Sequence, residues 1–467
     1  MEAKSQAIKF TIVTQTPDDT GIATVGFSRY AKRDEVHILP DGRQRIVIKI
    51  GKPEEMTDRQ RHLVPRRIIA VAKGAGVKRL ALYVDEFEKV VHNCDQTLIE
   101  FEMANYAWDL KKDPEGGRDI IEEILLVTCT ADVALMTASI ERAGKIVAGV
   151  NAARDLANAR ANVMTPQAFC AEVIRLAAGL PIEIEVLKPR DMKALGMGGV
   201  LNVGKGSASK SRFLIMKLMA GSAGVRPTML VGKGVVHDTC GLAIKPAESA
   251  VDMHWDKSGG ATVVGAILTA AMLGVKKNII ALVPLVENSI SSKAYRNGDI
   301  ITMMDGTTVE VINTDAECRL ILAYSLTYAK RFDPRIVIDV ATLTGSQRTA
   351  LGNLTGLFTR DDENGDLLAN QLIDLGKRVG DPVWRLPLSA VHEEQVKSDY
   401  ADLRNTGKLG ALAGASTAAA FLKQFVPDCQ WAHLDMAGAM TAADDEYLAK
   451  GAKGACVRLL VKMVETY

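Results

Sequence analysis

Short apolar runs recur along this chain, separated by longer helix-like stretches. Residues 7–13, 21–27, 45–50, 79–84 and 124–129 read as strands, with amphipathic helices expected over 57–73 and 97–110. The pattern resumes beyond residue 165. There, 182–187, 213–218, 228–236, 278–286, 301–304, 309–313 and 336–340 are strand-like and mostly apolar, and 258–273 and 320–331 are helix-like. Strands that are apolar throughout must be covered on both faces. The alternation therefore predicts an α/β fold with a mixed, largely parallel sheet. In such sheets ligands bind beyond the carboxyl ends of the strands, so polar residues just past these runs are where chemistry is expected.

A chain of 467 residues exceeds one compact domain. The expected division is a smaller N-terminal α/β domain over 1–130, with an assembly or regulatory role, and a larger C-terminal α/β domain over 161–467. An Ala-rich stretch at 131–160 reads as a linking helix, about 40 Å long at 1.5 Å per residue. Residues 111–117, with Pro114, Gly116 and Gly117, read as a loop. At 48% hydrophobic and 24% charged residues the composition is that of a soluble globular protein, and no uninterrupted apolar run is long enough to span a membrane. The start of the chain lacks the basic-then-apolar layout of a signal peptide. Seven cysteines without framework spacing argue for free thiols in a reducing compartment. A formal charge of +1 gives no electrostatic case for nucleic acid. A cytoplasmic protein with neither nucleic-acid nor membrane partners is expected.

The chemistry concentrates between residues 233 and 319. Asn313-Thr314-Asp315-Ala316-Glu317-Cys318-Arg319-Leu320 closes a strand-like run. On extended backbone, alternate residues share a face, so Asp315, Glu317 and Arg319 are expected to converge and Cys318 to face away. Two carboxylates and a fixed cation at one point suit a metal site handling a polar substrate. Upstream, Lys233 sits in a Gly-punctuated loop after a strand, but the phosphate-loop pattern is absent. Asp238 and Asp256 precede apolar stretches and, taken singly, read as helix N-terminal residues. Together with Asp315, Glu317, Lys233 and Lys245 they form a set of charges at successive strand ends.

These segments resemble the leucyl (cytosol) aminopeptidases, a dinuclear-zinc peptidase family. Residues 231–246, 252–261 and 313–320 are similar to the family forms V-G-K-G-x-x-x-D-[ST]-G-G-x-x-I-K, D-M-x-x-D-M-x-G-A and N-T-D-A-E-G-R-L. Further blocks at 341–345, 384–388, 397–403 and 431–438 extend the resemblance over roughly 150–460. It implies that 161–467 is a catalytic metallo-aminopeptidase domain with two divalent ions. One would be held by Lys233, Asp238, Asp256 and Glu317, the other by Asp238, Asp315 and Glu317 with the Asp315 carbonyl. Bridging carboxylates suit two dications about 4 Å apart, and Lys233 could ligate only when neutral. Zinc is the expected metal, with Mn²⁺, Mg²⁺ or Co²⁺ able to occupy a more labile position.

The resemblance also implies catalytic roles for Lys245, as an oxyanion donor, and for Arg319, as the holder of a bicarbonate general base. Met253, Thr342, Leu343, Gly345, Ala437 and Met440 match the substrate-binding positions, an adaptable apolar slot suited to a leucine-like N-terminal residue. Peptide substrates and a homo-hexamer are implied as well. His433 and Asp435 lack a serine elbow, so a structural histidine is expected.

Three positions depart from the family forms: Cys240 and Cys318 replace glycine, and Lys257 replaces methionine. Glycine beside a metal ligand often serves close approach or a positive φ, and a thiolate is itself a zinc ligand. The cysteines could form a redox pair, capture metal, or be tolerated substitutions. The alternative overall reading is a catalytically weakened homologue acting as a structural or DNA-binding oligomer.

Overall fold

The computed structural model describes residues 7–91, 94–108, 120–129 and 132–467, and these group into two units. The loop expected at 111–117 lies outside the described residues, as does the end of the helix expected at 97–110. The first unit takes the chain up to Asn151 and regains Ala442–Lys450. Its strands β1 (Lys9–Val13), β2 (Ile22–Ser28), β3 (Glu35–Ile38), β4 (Gln44–Lys49), β5 (Arg79–Tyr83) and β6 (Glu123–Val127) form one sheet in the order β1-β6-β5-β2-β4-β3. All neighbours are parallel except β3 and β4. Strand β3 was not expected from the sequence. Three of its four residues are exposed, and an exposed edge strand lacks the apolar signature that marks buried ones.

The helix Asp58–Gly74 is started by a capping box, in which the Thr57 hydroxyl accepts from the Gln60 N–H and the Gln60 side chain accepts from the Thr57 N–H. The helix Cys94–Asn105 packs against it. Within that second helix Glu102 is buried and accepts the Ile8 N–H at 2.9 Å. Burial pushes its carboxyl up to about 7, with the Ile8 hydrogen bond opposing. The helix Val133–Asn158 follows. No helix among the described residues is long and apolar enough to cross a membrane.

The second unit comprises Ala152–Thr441 and Gly451–Tyr467. Its main strands are β7 (Glu183–Leu187), β8 (Arg212–Met219), β9 (Thr228–Gly232), β10 (Gly234–Asp238) and β11 (Asn278–Asn288), and a small sheet is made by β12 (Ile300–Thr302), β13 (Thr308–Glu310) and β17 (Leu403–Arg404). The main sheet continues with β14 (Ile336–Ala341), β15 (Thr355–Thr359), β16 (Val383–Arg385) and β18 (Gln430–Asp435). Its order is β16-β15-β18-β14-β9-β11-β8-β7, with β10 also on β11. Strands β9, β10, β11, β14 and β18 run parallel, while β7–β8, β8–β11 and β15–β18 are antiparallel pairs. The mixed central sheet expected from the sequence is present. The run expected as one strand over 228–236 is two strands interrupted at Lys233, and the register of the second against β11 shifts between Val235 and His237.

Two helices drive through the core. Ser258–Met272 is buried at every position but its last, and all of Glu317–Ala329 is buried. Leu320, Ile321 and Tyr324 of the latter join Phe213, Met229 and Trp431 in one apolar cluster. Each such side chain contributes about 1.5–3 kcal/mol on burial, so the helix is fixed by its flanks and its first turn goes where the core puts it. The octapeptide is therefore not an extended strand end. Residues 313–316 turn, and Glu317 opens the helix, which corrects the strand expected over 309–313.

The start of the helix Ser258–Met272 meets β9 and β14 backbone to backbone. A Cβ on Gly259 would lie 2.2 Å from the Val340 carbonyl oxygen, and one on Gly232 would lie 2.5 Å from the Gly259 carbonyl oxygen. Neither obstacle is a flexible side-chain end. Gly259→Ala is expected to destabilise the protein by about 1–3 kcal/mol, seen as a lower urea midpoint at unchanged m-value. In the first unit, the raised Glu102 carboxyl makes the folded state bind a proton that the unfolded chain releases near its ordinary value of 4.5. That contribution is complete below the unfolded value and is lost as pH rises through about 7. Glu102→Gln should flatten the decline in stability across this window in denaturation curves taken at successive pH values.

Candidate metal and catalytic site

The polar residues singled out in the sequence gather past the carboxyl ends of parallel strands. Lys233 follows β9, Asp238 ends β10, Asn288 ends β11, Thr342 to Gly345 follow β14, and Asp435 ends β18. Asp256 arrives on the short 3-10 helix Met253–Lys257, and Glu317 on the first turn of its buried helix. The Lys233 N–H donates to the Val340 carbonyl at 3.0 Å and its carbonyl accepts the Gly260 N–H at 2.6 Å. Lys233 is thereby clamped between strand and helix start.

From there its ammonium donates to Asp256 Oδ1 at 2.5 Å and to the Thr342 carbonyl at 2.7 Å, with Glu317 Oε1 at 3.8 Å. The Thr342 hydroxyl also donates to Asp256 Oδ1, at 2.8 Å. Asp238 Oδ1 accepts from the Cys240 N–H at 2.9 Å and from Asn288 Nδ2 at 2.8 Å. Its Oδ2 faces the Lys245 ammonium at 2.7 Å. Lys245 also pairs with Asp315 Oδ1 and reaches Cys240 Sγ at 2.7 Å.

Asp238, Asp256 and Glu317 are buried, whereas 41% of the Asp315 side chain is exposed. The Asp256 Oδ2 and Glu317 Oε2 oxygens are buried without a hydrogen-bond partner. Burial raises the Glu317 carboxyl well above the carboxylate range, with Asp238 adding to it against the pull of Lys233. Asp256 is raised in the same way, by burial first and against Lys233. Burial opposes the charge on both lysines too, but Asp256, Cys318, Glu317 and Asp238 hold Lys233 protonated, and Asp238, Glu317 and Asp315 do so for Lys245. Buried oxygens that lack partners and resist ionisation mark a place short of positive charge.

Ligand atoms fall into two nests. Asp238, Cys240 and Asp315 offer atoms all within 4.8 Å of one another, and so do Asp256, Glu317 and Cys318. This donor set fits divalent metal. Cys318 does not face away, as extended backbone would have it. On a helix start it lies beside Glu317, with its Sγ 2.5 Å from Glu317 Oε1.

Arg319 is buried, its Nε has no hydrogen-bond partner, and none of the ion pairs among the described residues involves it. Burial draws its pKa down, while Cys318 and Glu317 push it back up. It lines a cavity of about 520 Å³ together with Asp315, Leu343, Gly345, Thr344 and Gly407. Of the six positions expected to bind substrate, Leu343 and Gly345 line this cavity, whereas Met253, Thr342, Ala437 and Met440 lie outside its lining.

The comparisons with known proteins bear on this arrangement. Residues 151–461, more than half of the chain, match the model of the cytosol aminopeptidase family catalytic domain. The chain belongs to the cytosol aminopeptidase family. It is 40% identical over 370 residues to a probable cytosol aminopeptidase of Herminiimonas arsenicoxydans, covering 79% of this chain and 73% of that one. It is 42% identical over 376 residues to another of Syntrophotalea carbinolica, covering 79% and 74%. A solved structure of the bottromycin maturation enzyme BotP in complex with Mn is similar over 95% of this chain and 98% of its own, with a TM-score of 0.82 at 26% identity. As a member of the family the protein is a hydrolase of the aminopeptidase class.

Several residues that shape the site escaped the sequence reading. Asn288 ties Asp238 to the Thr314 carbonyl, and the polar end of the apolar run 278–288 was the available signal. Asn405 holds the octapeptide's turn, accepting from the Ile312 N–H at 2.8 Å and donating to the Asn313 carbonyl at 2.7 Å. Nothing in its local sequence announces this. Asp435 accepts the Leu343 N–H at 3.0 Å and the Thr344 hydroxyl at 2.7 Å, which sets the loop at the cavity wall. His433 Nδ1 is bound to Asp339 at 2.5 Å, and Trp431 Nε1 donates to the same carboxylate. The histidine expected to be structural thus has a partner inside the sheet.

Cys240 has φ of 68°, the left-handed region in which a side chain is strained. Gly241 beside it has φ of 61°, so the turn after Asp238 suits two glycines and receives one. In chelator-treated protein, Cys240→Gly is expected to raise stability by about 1 kcal/mol, measured by chemical denaturation.

Proposed function

We propose that this protein removes the N-terminal residue from peptides, leucine-like residues preferred, at a centre of two divalent metal ions. Zinc is the favoured ion, with Mn²⁺, Mg²⁺ or Co²⁺ possible at the more labile position. The observation that carries this reading is the pair of buried, partnerless oxygens Asp256 Oδ2 and Glu317 Oε2 inside a family-matched donor set. Lys233, Asp238, Asp256 and Glu317 would hold one ion, and Asp238, Asp315 and Glu317, with the Asp315 carbonyl, the other. When bound, the ions would acidify a water and polarise the scissile carbonyl.

The chain's own residues do the rest. Lys245, with 15% of its side chain exposed, keeps its charge and would donate to the oxyanion that develops on the scissile carbonyl. Arg319 is a buried cation without an ion-pair partner among the described residues, and it would hold a bicarbonate ion serving as general base. Lys233 would surrender its proton on becoming a ligand. Leu343 and Gly345 bound the cavity, and Met253, Thr342, Ala437 and Met440 are assigned to the side-chain slot on the family resemblance. We further propose a homo-hexamer in the cytoplasm, the first unit serving in assembly and the helix Val133–Asn158 as the link.

Purified protein loaded with Zn²⁺ or Mn²⁺ should hydrolyse leucine p-nitroanilide faster than the glycine and glutamate analogues. The N-acetylated leucine substrate should be inert. An absence of turnover with every metal would refute the enzyme assignment, and equal rates across the panel would refute the leucine preference.

A further inference from the structure

We infer that Cys240 and Cys318 are themselves metal ligands, one in each carboxylate nest, giving this centre two thiolates where the family's motifs carry glycine. The inference rests on the two-metal reading above and adds the donor chemistry particular to this chain. Each nest joins two carboxylates to one thiol, with every ligand atom within 4.8 Å of the others. Atoms sharing one zinc ion, with Zn–S near 2.3 Å and Zn–O of about 2.0–2.2 Å, lie about 3–4 Å apart in a tetrahedral arrangement. The thiols are therefore at ligand spacing without rearrangement of the backbone.

Neither thiol belongs to the apolar cluster that holds Leu320, Ile321 and Tyr324. The Cys318 sulfur lies at Glu317 Oε1, in the nest where Asp256 Oδ2 and Glu317 Oε2 lack partners. The Cys240 sulfur touches Asp315 Oδ1 and the Lys245 ammonium. Both residues are buried, at 2% and 4% exposure, so water does not compete freely for them. Charge comes close to balance. With both thiols ionised the two nests hold six anions, against which two dications and the Lys245 ammonium supply five positive charges when Lys233 is neutral, the Arg319 guanidinium being matched to its bicarbonate. On metal entry each thiol proton passes to solvent and its sulfur lone pair to the ion. Sulfur donors favour zinc, cobalt and cadmium over manganese and magnesium.

The test uses the full chain, stripped of metal under a non-thiol reductant and titrated with Co²⁺ and, separately, Cd²⁺. Sulfur-to-metal charge-transfer absorption is recorded while bound metal is counted by equilibrium dialysis. The expected result is a charge-transfer band that grows with bound metal. Cys240→Gly and Cys318→Gly should each lose about half of it, and the double variant all of it, while carboxylate binding persists. In the double variant the preference for Zn²⁺ over Mn²⁺ should fall. Metal bound by the unaltered protein without the band overturns the inference and leaves the carboxylate centre standing. No bound metal in either titration overturns both. The variants restore residues that the family carries at these positions, and the unaltered protein's spectrum decides the matter even where a variant fails to fold.

Discussion

Buried negative charge is what the second unit has to manage. Asp238, Asp256 and Glu317 lie in the interior, and carboxylates in such surroundings are costly unless opposite charge meets them. Lys233 and Lys245 supply part of it, each set among several acidic groups. The supply is incomplete, since two carboxylate oxygens lack partners and both Asp256 and Glu317 resist ionisation. The remaining charge has to come from outside the polypeptide. Around this demand the rest of the unit is organised: parallel strands deliver the charged residues to one end of the sheet, and two core helices fix the start points of Asp256 and Glu317.

Precision at those start points comes from apolar packing and close backbone approach. The helix that opens with Glu317 is buried along its whole length, so the core holds it in place before any ligand is considered. The helix beginning at Ser258 lies so near β9 and β14 that Gly232 and Gly259 have no room for a Cβ. Side chains on rigid elements hold a site more accurately than side chains on loops, and here even the looped residues are braced, by Asn288, Asn405 and Asp435.

Much of this was legible in the sequence, for reasons that differ between levels. Apolar runs such as 213–218 and 336–340 marked buried strands because they are covered on both faces. The edge strand Glu35–Ile38 carried no such mark. Lys233, Asp238, Asp256, Asp315 and Glu317 were found from their spacing and family resemblance, and the structure brings them together. The octapeptide does not follow strand alternation, however. Strand alternation put Cys318 on the far side, whereas a helix begins at Glu317 and keeps the thiol beside it. Periodicity over eight residues could not separate those cases, because the helix is imposed by downstream core residues such as Leu320, Ile321 and Tyr324. Asn405 was invisible for a related reason, as it meets the turn from 92 residues away.

The sulfur beside Glu317 has a further consequence, in the number of coordination positions. A catalytic ion works by keeping a place open for water or substrate, while a structural ion is fully enclosed by protein. A thiolate in each nest would take one such place, with a donor that releases zinc reluctantly. As ligands, the two cysteines would move the centre along the line between turnover and retention. A chain built this way would keep its metal where supply is scarce, and it would surrender some speed at the step in which water must reach the ion.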